Sequence, residues 1–160
     1  MGAQNQKGKS MQWQIKKFDE LTTTELYESL KLRVDVFVVE QNCPYPEVDG
    51  KDIHGQTLHL LGKDDADTVA AYLRILPKGL SFDKISIGRV VVAVEYRDEG
   101  LSRRMIRMAL DKIETVWPGE AIKIGAQVYL KHFYESFGFT PVSNSYLEDG
   151  IPHIDMLRKP

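Results

Sequence analysis

The chain has 160 residues, of which 42% are hydrophobic and 28% charged, and a net charge of −2; that is enough for one domain with a real core and too little for two ordinary ones. The near-neutral balance argues against a broad nucleic-acid-binding face, and a single cysteine, Cys43, rules out an internal disulfide and a cysteine-based zinc cluster and fits a reducing, cytoplasmic setting. No apolar run approaches the ~18 residues of a membrane span, and the N-terminus lacks the apolar core of a secretory signal.

Residues 1–10 are polar and without period, which reads as a flexible arm or an expression remnant, with Met11 a plausible native start. Residues 11–160 are then expected to form a single domain. Trp13, Ile15 and Lys17 alternate with Gln12, Gln14 and Lys16, a weak first strand. Thr22, Thr23 or Thr24 can cap a helix with an apolar face of Leu26, Leu30, Val34, Phe37 and Val38, ending near Glu40 or Gln41. A loop rich in acid, Pro and Gly runs from Asn42 to Gly55. Two strands follow, Thr57 to Lys63 and Val69 to Leu76, and then a longer one, Ile85 to Val94, apolar on both faces in its second half and therefore central.

Leu101, Met105, Met108, Ala109, Ile113 and Val116 repeat at helical spacing, and Pro118 and Gly119 stop that helix. Ile122, Ile124, Ala126 and Val128 alternate as a strand. Leu130 to Phe137 reads as a short helix stopped by Gly138. Phe139 to Val142 and Ile151 to Leu157 close the chain as an antiparallel pair around Glu148, Asp149 and Gly150. The alternation of strands and helices places the chain in the α/β class.

The turn between the long strand and the second helix is the most informative stretch. Arg97, Asp98, Glu99, Gly100, Leu101 and Ser102 lead into a helix N-terminus followed by Arg103 and Arg104. Free amides, the helix dipole and fixed positive charge together make an anion site suited to a diphosphate. There is no Gly-x-Gly-x-x-Gly and no Gly-x4-Gly-Lys-Ser/Thr to assign the site to a dinucleotide or a P-loop nucleotide.

This turn resembles the Arg/Gln-x-x-Gly-x-Gly/Ala signature of the GNAT acetyltransferases, and Phe133-Tyr134-x-x-x-Gly138-Phe139 resembles that family's second hallmark. The whole span from Met11 to Pro160 is similar to the ElaA group of that family. Further matches are Arg33-x-x-Val36-Phe37-Val38-Val39-Glu40-Gln41, Cys43-Pro44-Tyr45-Pro46, Ile87-Gly88-Arg89-Val90 and Glu148-Asp149-Gly150-Ile151-Pro152-His153. One departure is Ser102, where the family prefers Gly or Ala; a serine is still small, and its hydroxyl can donate to a phosphate oxygen.

The resemblance implies a mixed, mostly antiparallel sheet flanked by helices, with the fourth and fifth strands splayed apart. It implies acetyl-CoA as cosubstrate. The thioester arm would pair with the backbone of Val92, Ala93 and Val94, and the pyrophosphate would sit on the amides of Glu99, Gly100, Leu101, Ser102 and Arg103. Arg97 and Arg103 would add charge, and Gln127 would lie beside the arm. Tyr134 matches the tyrosine that protonates the departing thiolate. The acceptor would be a primary amine on a small molecule or a protein, with no nucleic-acid or membrane partner; a homodimer through a sheet edge or helix face is common for such proteins.

Acetyl transfer needs a neutral amine, donors for an oxyanion and an acid for the thiolate. The base stays open among Glu40, Glu47, His59 and His153, or water relayed through one of them, with Glu40, His59 and His153 expected at the acceptor. Cys43 reads as structural. Two other functions compete. Arg33-x-x-x-Phe37 and Glu47-x-Asp49-x-x-Asp52 resemble acyl-homoserine-lactone synthases, and a non-catalytic acyl-CoA-binding module would share the cofactor site.

Overall fold

The computed structural model describes residues 11–160; the expected arm over residues 1–10 lies outside the described residues. Four strands form the first sheet in the order of the chain: β1 (Gln12–Lys17), β2 (Leu58–Lys63), β3 (Val69–Leu76) and β4 (Ser86–Val92), all antiparallel. Trp13 lies opposite Gly62. A Cβ built at Gly62 would stand 2.5 Å from the indole ring, so glycine is required for the two strands to approach.

The second sheet is made of β5 (Ile122–Gln127), β6 (Thr140–Pro141), β7 (Tyr146–Glu148) and β8 (Ile151–Arg158). β8 lies between β5 and β6, and β7 pairs with its first half. The closing pair expected around Asp149 and Gly150 is therefore two: β6 meets β8 at Thr140 and Pro141, and β7 makes a tight hairpin with it. Asp149 and Gly150 both have positive φ, 50° and 77°, the combination a two-residue hairpin turn demands.

Both faces of β2 and β3 are covered, which is why every residue of either strand is buried. On one face Leu60, Leu73 and Ile75 pack against Met105, Ile106, Ala109 and Ile113 of helix α2 (Leu101–Val116). Ile106 replaces Val116 in that stripe; Val116 is 42% exposed at the end of the helix.

The other face takes helix α1 (Thr23–Arg33), and here the expected apolar stripe is corrected. Leu26, Leu30 and Val34 are half-buried, while Glu25, Ser29, Leu32 and Arg33 are the buried positions. The reason lies across the interface. β2 and β3 turn His59, Lys63, Tyr72 and Arg74 toward α1, so the helix docks through charge pairs as well as through the Leu32, Leu61 and Tyr72 cluster. Thr22 is the cap among the three threonines: its hydroxyl accepts from the Glu25 amide, and Glu25 accepts from the Thr22 amide. After Arg33 the helix continues as a π-helix, Val34–Glu40.

Glu25 also takes Lys63 at 2.5 Å and Lys16 at 3.0 Å. Burial works against its charge, but the Lys63 hydrogen bond, the Thr22 amide and Lys16 hold its carboxyl down at about 2. A depressed native pKa stabilises the fold above the ordinary carboxylate range and stops doing so as pH falls toward 2. Urea unfolding followed from pH 6 to pH 2 should therefore show a steep acid loss in the parent and a shallower one, from a lower starting stability, in Glu25→Gln.

Candidate active site

β4 and β5 touch only where they start. Ile85 bridges Ile122 in parallel, and the Lys123 amide donates to the Ile85 carbonyl at 2.9 Å. Beyond that point the strands part, and the gap opens into a cleft of about 780 Å³. The size fits an extended acyl carrier arm together with an acceptor.

One wall of the cleft is β4, and β4 is bulged. Tyr72 faces Val91 and Arg74 faces Gly88, so Arg89 and Val90 stand against Leu73 alone, with Arg89 at φ 53°. The bulge bends the strand and swings Arg89 toward the cleft. Beyond β4, the chain turns through Asp98 and Gly100, both at positive φ, and starts α2 with Gly100 as its left-handed cap. No side chain caps that helix and its first turn holds no acid, so the amides of its first residues are left for an anion.

The opposite wall is β5, β8 and the short helix α3 (Lys131–Glu135), which carries Tyr134. Tyr134 is 7% exposed and packs edge-on against Phe133 and Phe139. Burial, with a smaller contribution from Tyr129, pushes its hydroxyl up to about 12, and among the described residues nothing accepts from it.

Beneath one end of the cleft three arginines and three carboxylates close into a ring, of which Asp49, Arg74 and Arg89 reach the lining. Arg33 pairs with Glu47 and Asp52, Arg74 with Asp52 and Asp49, and Arg89 with Asp49 and Glu47. Every acid thus meets two arginines. Burial opposes the charge on Asp49 and Asp52, but the arginine hydrogen bonds hold both carboxyls below the usual carboxylate range. The Asn42 to Gly55 segment, which as a sequence looks like a hydrated acidic loop, is strapped to the sheet by this ring. Glu47 is 3% exposed and also takes the Tyr45 hydroxyl, so it has no room to serve as a base.

Of the residues singled out from sequence, Val92, Arg97, Ser102, Gln127, Tyr134, Glu40 and His153 line the cleft. Ala93, Val94, Glu99, Gly100, Leu101 and Arg103 sit outside its lining, along the approach to it. The Ala93 amide is taken by the Ala70 carbonyl at 2.8 Å, and Leu101 anchors α2 in the core at 3% exposure. Arg103 lies over Phe133 and Phe137 and donates to Ser136.

His59 is corrected. It is 1% exposed, its Nδ1 is 2.6 Å from the Tyr72 hydroxyl and its Nε2 3.0 Å from the Asp52 carbonyl, and burial lowers its pKa. It braces the back of the ion-pair ring and lies outside the cleft lining. Sequence reasoning passed over Arg89, Arg74 and Tyr146 as cleft residues. The signal for Arg74 was present: one charge in an otherwise apolar strand buried on both faces must have a partner.

Arg97 and Glu40 hold each other at the other end of the cleft. Both oxygens of Glu40 accept from the guanidinium, at 2.7 and 2.8 Å, and the Arg97 Nε donates to the Val92 carbonyl at 3.1 Å. Gln127 meets Gln41 at 3.4 Å alongside. Among the described residues no group of His, Cys, Asp and Glu is arranged to hold a metal, and no helix is long and apolar enough to cross a membrane.

Residues 27–159 match the family model described as an acetyltransferase (GNAT) domain. The chain is 43% identical over 149 residues to the ElaA protein of Escherichia coli, covering 93% of this chain and 97% of that one. The crystal structure of that ElaA superimposes with a TM-score of 0.87 over 93% of this chain and 99% of the other, at 42% identity. An acyl-CoA N-acyltransferase from Pseudomonas aeruginosa superimposes with a TM-score of 0.88 at 43% identity, over the same shares. A CoA-dependent acyl-homoserine lactone synthase, at 17% identity and a TM-score of 0.76 over 93% of this chain and 83% of the other, shares the fold alone.

Proposed function

Since the chain belongs to the GNAT acyl-CoA N-acyltransferases and to their ElaA group, we propose that residues 11–160 act as one domain that moves the acetyl group of acetyl-CoA directly to a primary amine, on a small molecule or a lysine side chain. The observation that carries the reading is the splay between β4 and β5, with the uncapped first turn of α2 at one end and Tyr134 in its wall.

The parts divide the work. The free amides at the start of α2 would take the pyrophosphate, with Ser102 beside them and no Cβ at Gly100 to crowd the turn. Exposed backbone of β4 would pair with the amide-rich arm as an added strand. Donors along the bulged strand would meet the oxyanion as it forms. A bound amine would attack the thioester without an acyl-enzyme, and Tyr134 would supply a proton to the sulfur as the C–S bond breaks. The buried Cys43, whose thiol donates to the Asp149 carbonyl at 3.4 Å, takes no part.

The test is release of free thiol from acetyl-CoA across a panel of alkylamines, polyamines and lysine peptides, beside longer acyl-CoA donors. Release that depends on an amine and is fastest with the acetyl donor is the expected result. Tight coenzyme binding with no release would favour a non-catalytic acyl-CoA module, and failure to bind any coenzyme A species would remove the proposal.

A second expectation concerns the Glu40 clasp. Arg97 and the Val92 carbonyl, both assigned to the cofactor, are engaged with protein groups here. Glu40 is exposed and Arg97 half-buried, so the pair is worth little and costs little to open. Glu40→Gln should tighten acetyl-CoA binding by about 2- to 5-fold in calorimetry, the amount an exposed ion pair is worth.

A further inference from the structure

We infer that His153 is the general base of this transfer, and that Glu148 positions it. The inference rests on the acetyltransferase reading and names a residue which that reading leaves open. His153 lies on β8 opposite Gln127 of β5, in the wall of the cleft, and is 9% exposed. Its Nδ1 is 2.7 Å from the Ile151 carbonyl. A carbonyl can only accept, so Nδ1 carries the hydrogen, and the lone pair of the neutral ring is on Nε2. Nε2 stands 3.5 Å from Glu148 Oε2. Both atoms are acceptors while Nε2 is bare, so no hydrogen bond joins them; once Nε2 takes a proton it can donate to the carboxylate, which is close enough to pull in.

The surroundings fix the ring. Tyr146 stacks on it with the ring centroids 6.1 Å apart and the planes at 23°, and the Tyr146 hydroxyl is tied to Asp155 at 2.6 Å. Asp155 shares the cleft-facing side of β8 with His153 and also meets Lys123 at 4.0 Å. The hairpin sets Tyr146 directly opposite His153 and Glu148 opposite Ile151, which places the carboxylate on the diagonal. The Cys43 thiol pins the turn through the Asp149 carbonyl.

Two of the other bases open from the sequence are spoken for: Glu47 holds two arginines and the Tyr45 hydroxyl, and both nitrogens of His59 are bonded in the core. Glu40 is held by the Arg97 guanidinium and has no second partner among the described residues to position it once that pair opens. The proton account then balances. An acceptor ammonium gives one proton to His153 Nε2, which passes it to solvent. The neutral amine forms the C–N bond, the C–S bond breaks, and the sulfur takes the Tyr134 proton. The second proton on the nitrogen restores the phenol. The products are the amide, the free thiol of coenzyme A and one proton.

The experiment compares two acceptors on the full chain: an alkylamine, charged at neutral pH, and an alkoxyamine of similar shape, largely uncharged there. His153→Gln should lose about 100-fold in kcat with the alkylamine, far less with the alkoxyamine, and little in the KM for acetyl-CoA. Imidazole in the buffer should restore part of the alkylamine rate of His153→Ala. Glu148→Gln, altered at an exposed carboxylate, should show the same selective loss at several-fold and serves if the histidine variants melt. Equal losses with both acceptors, or no selective loss in Glu148→Gln, overturn the assignment while leaving acetyl transfer standing. No thiol release from the parent with either amine overturns both.

Discussion

Replacing Arg33 with alanine should cost about 3–5 kcal/mol, as breaking a buried pair by deleting one partner does. At roughly 2–4 °C per kcal/mol for a chain of this size, the midpoint of thermal unfolding should drop by about 6–20 °C. Arg33 is 1% exposed. Its Nε donates to Glu47 at 2.8 Å, its Nη1 to Asp52 at 2.9 Å, and its guanidinium lies 5.3 Å from the centre of the Tyr72 ring. Its loss opens the ring at two carboxylates that are themselves 3% and 4% exposed. Arg89 and Arg74 still reach them, which keeps the cost from being larger.

The same variant changes the acid limb. Asp52 is held low by Arg33 first and Arg74 second, against burial, so it stabilises the parent above the ordinary carboxylate range and loses that contribution as pH falls. Without Arg33 the depression shrinks, and acid unfolding should start at a higher pH. Thermal melts from pH 7 to pH 3 read both effects. Activity should fall too, because the ring ties Tyr45 and Asp49 on the loop to Arg89 on the bulge, and all three line the cleft.

The ring also marks where sequence reading stops. Periodicity found β2, β3, β4 and α2 because these bury apolar groups at the spacings their geometry sets. α1 was located by its threonine cap, but its buried face was misread. The rule that apolar positions face inward fails when a helix docks on Lys63 and Tyr72 through Glu25 and Arg33. Arg33, Glu47 and Asp52 are 14 and 19 residues apart, and no local pattern says that three charges so spaced meet underground. The elements proposed to hold the coenzyme were legible because they are one continuous strand, turn and helix. The other end of the cleft is assembled from the 42–55 loop, the β4 bulge and the β7–β8 hairpin, and only folding brings those together. His59 shows the cost: a histidine on a strand looks available until its two hydrogen bonds are seen.

Tyr134→Phe should lower kcat by about 100-fold or more, the range for a positioned acid, and leave acetyl-CoA affinity nearly unchanged, because the phenol lies in the wall and not at the turn into α2 where the proposed function seats the pyrophosphate. The magnitude follows from where the hydroxyl sits. Burial holds it near 12, whereas a thiol is ordinarily near ~8.5. Full transfer from phenol to thiolate would therefore run uphill, so the phenol gives its proton only as another arrives to replace it. Its hydroxyl has no competing acceptor among the described residues, and it gains one as negative charge grows on sulfur. The amine proton released in the same step then replaces what the phenol gives. Such coupling predicts that loss of the hydroxyl is felt least with a thioester whose thiol leaves easily. Single-turnover rates with acetyl-CoA and with an acetyl thioester of a more acidic thiol, in parent and Tyr134→Phe, separate the two. The gap between the proteins should narrow with the better leaving group, and an equal gap for both thioesters would place Tyr134 among the packing residues of the cleft.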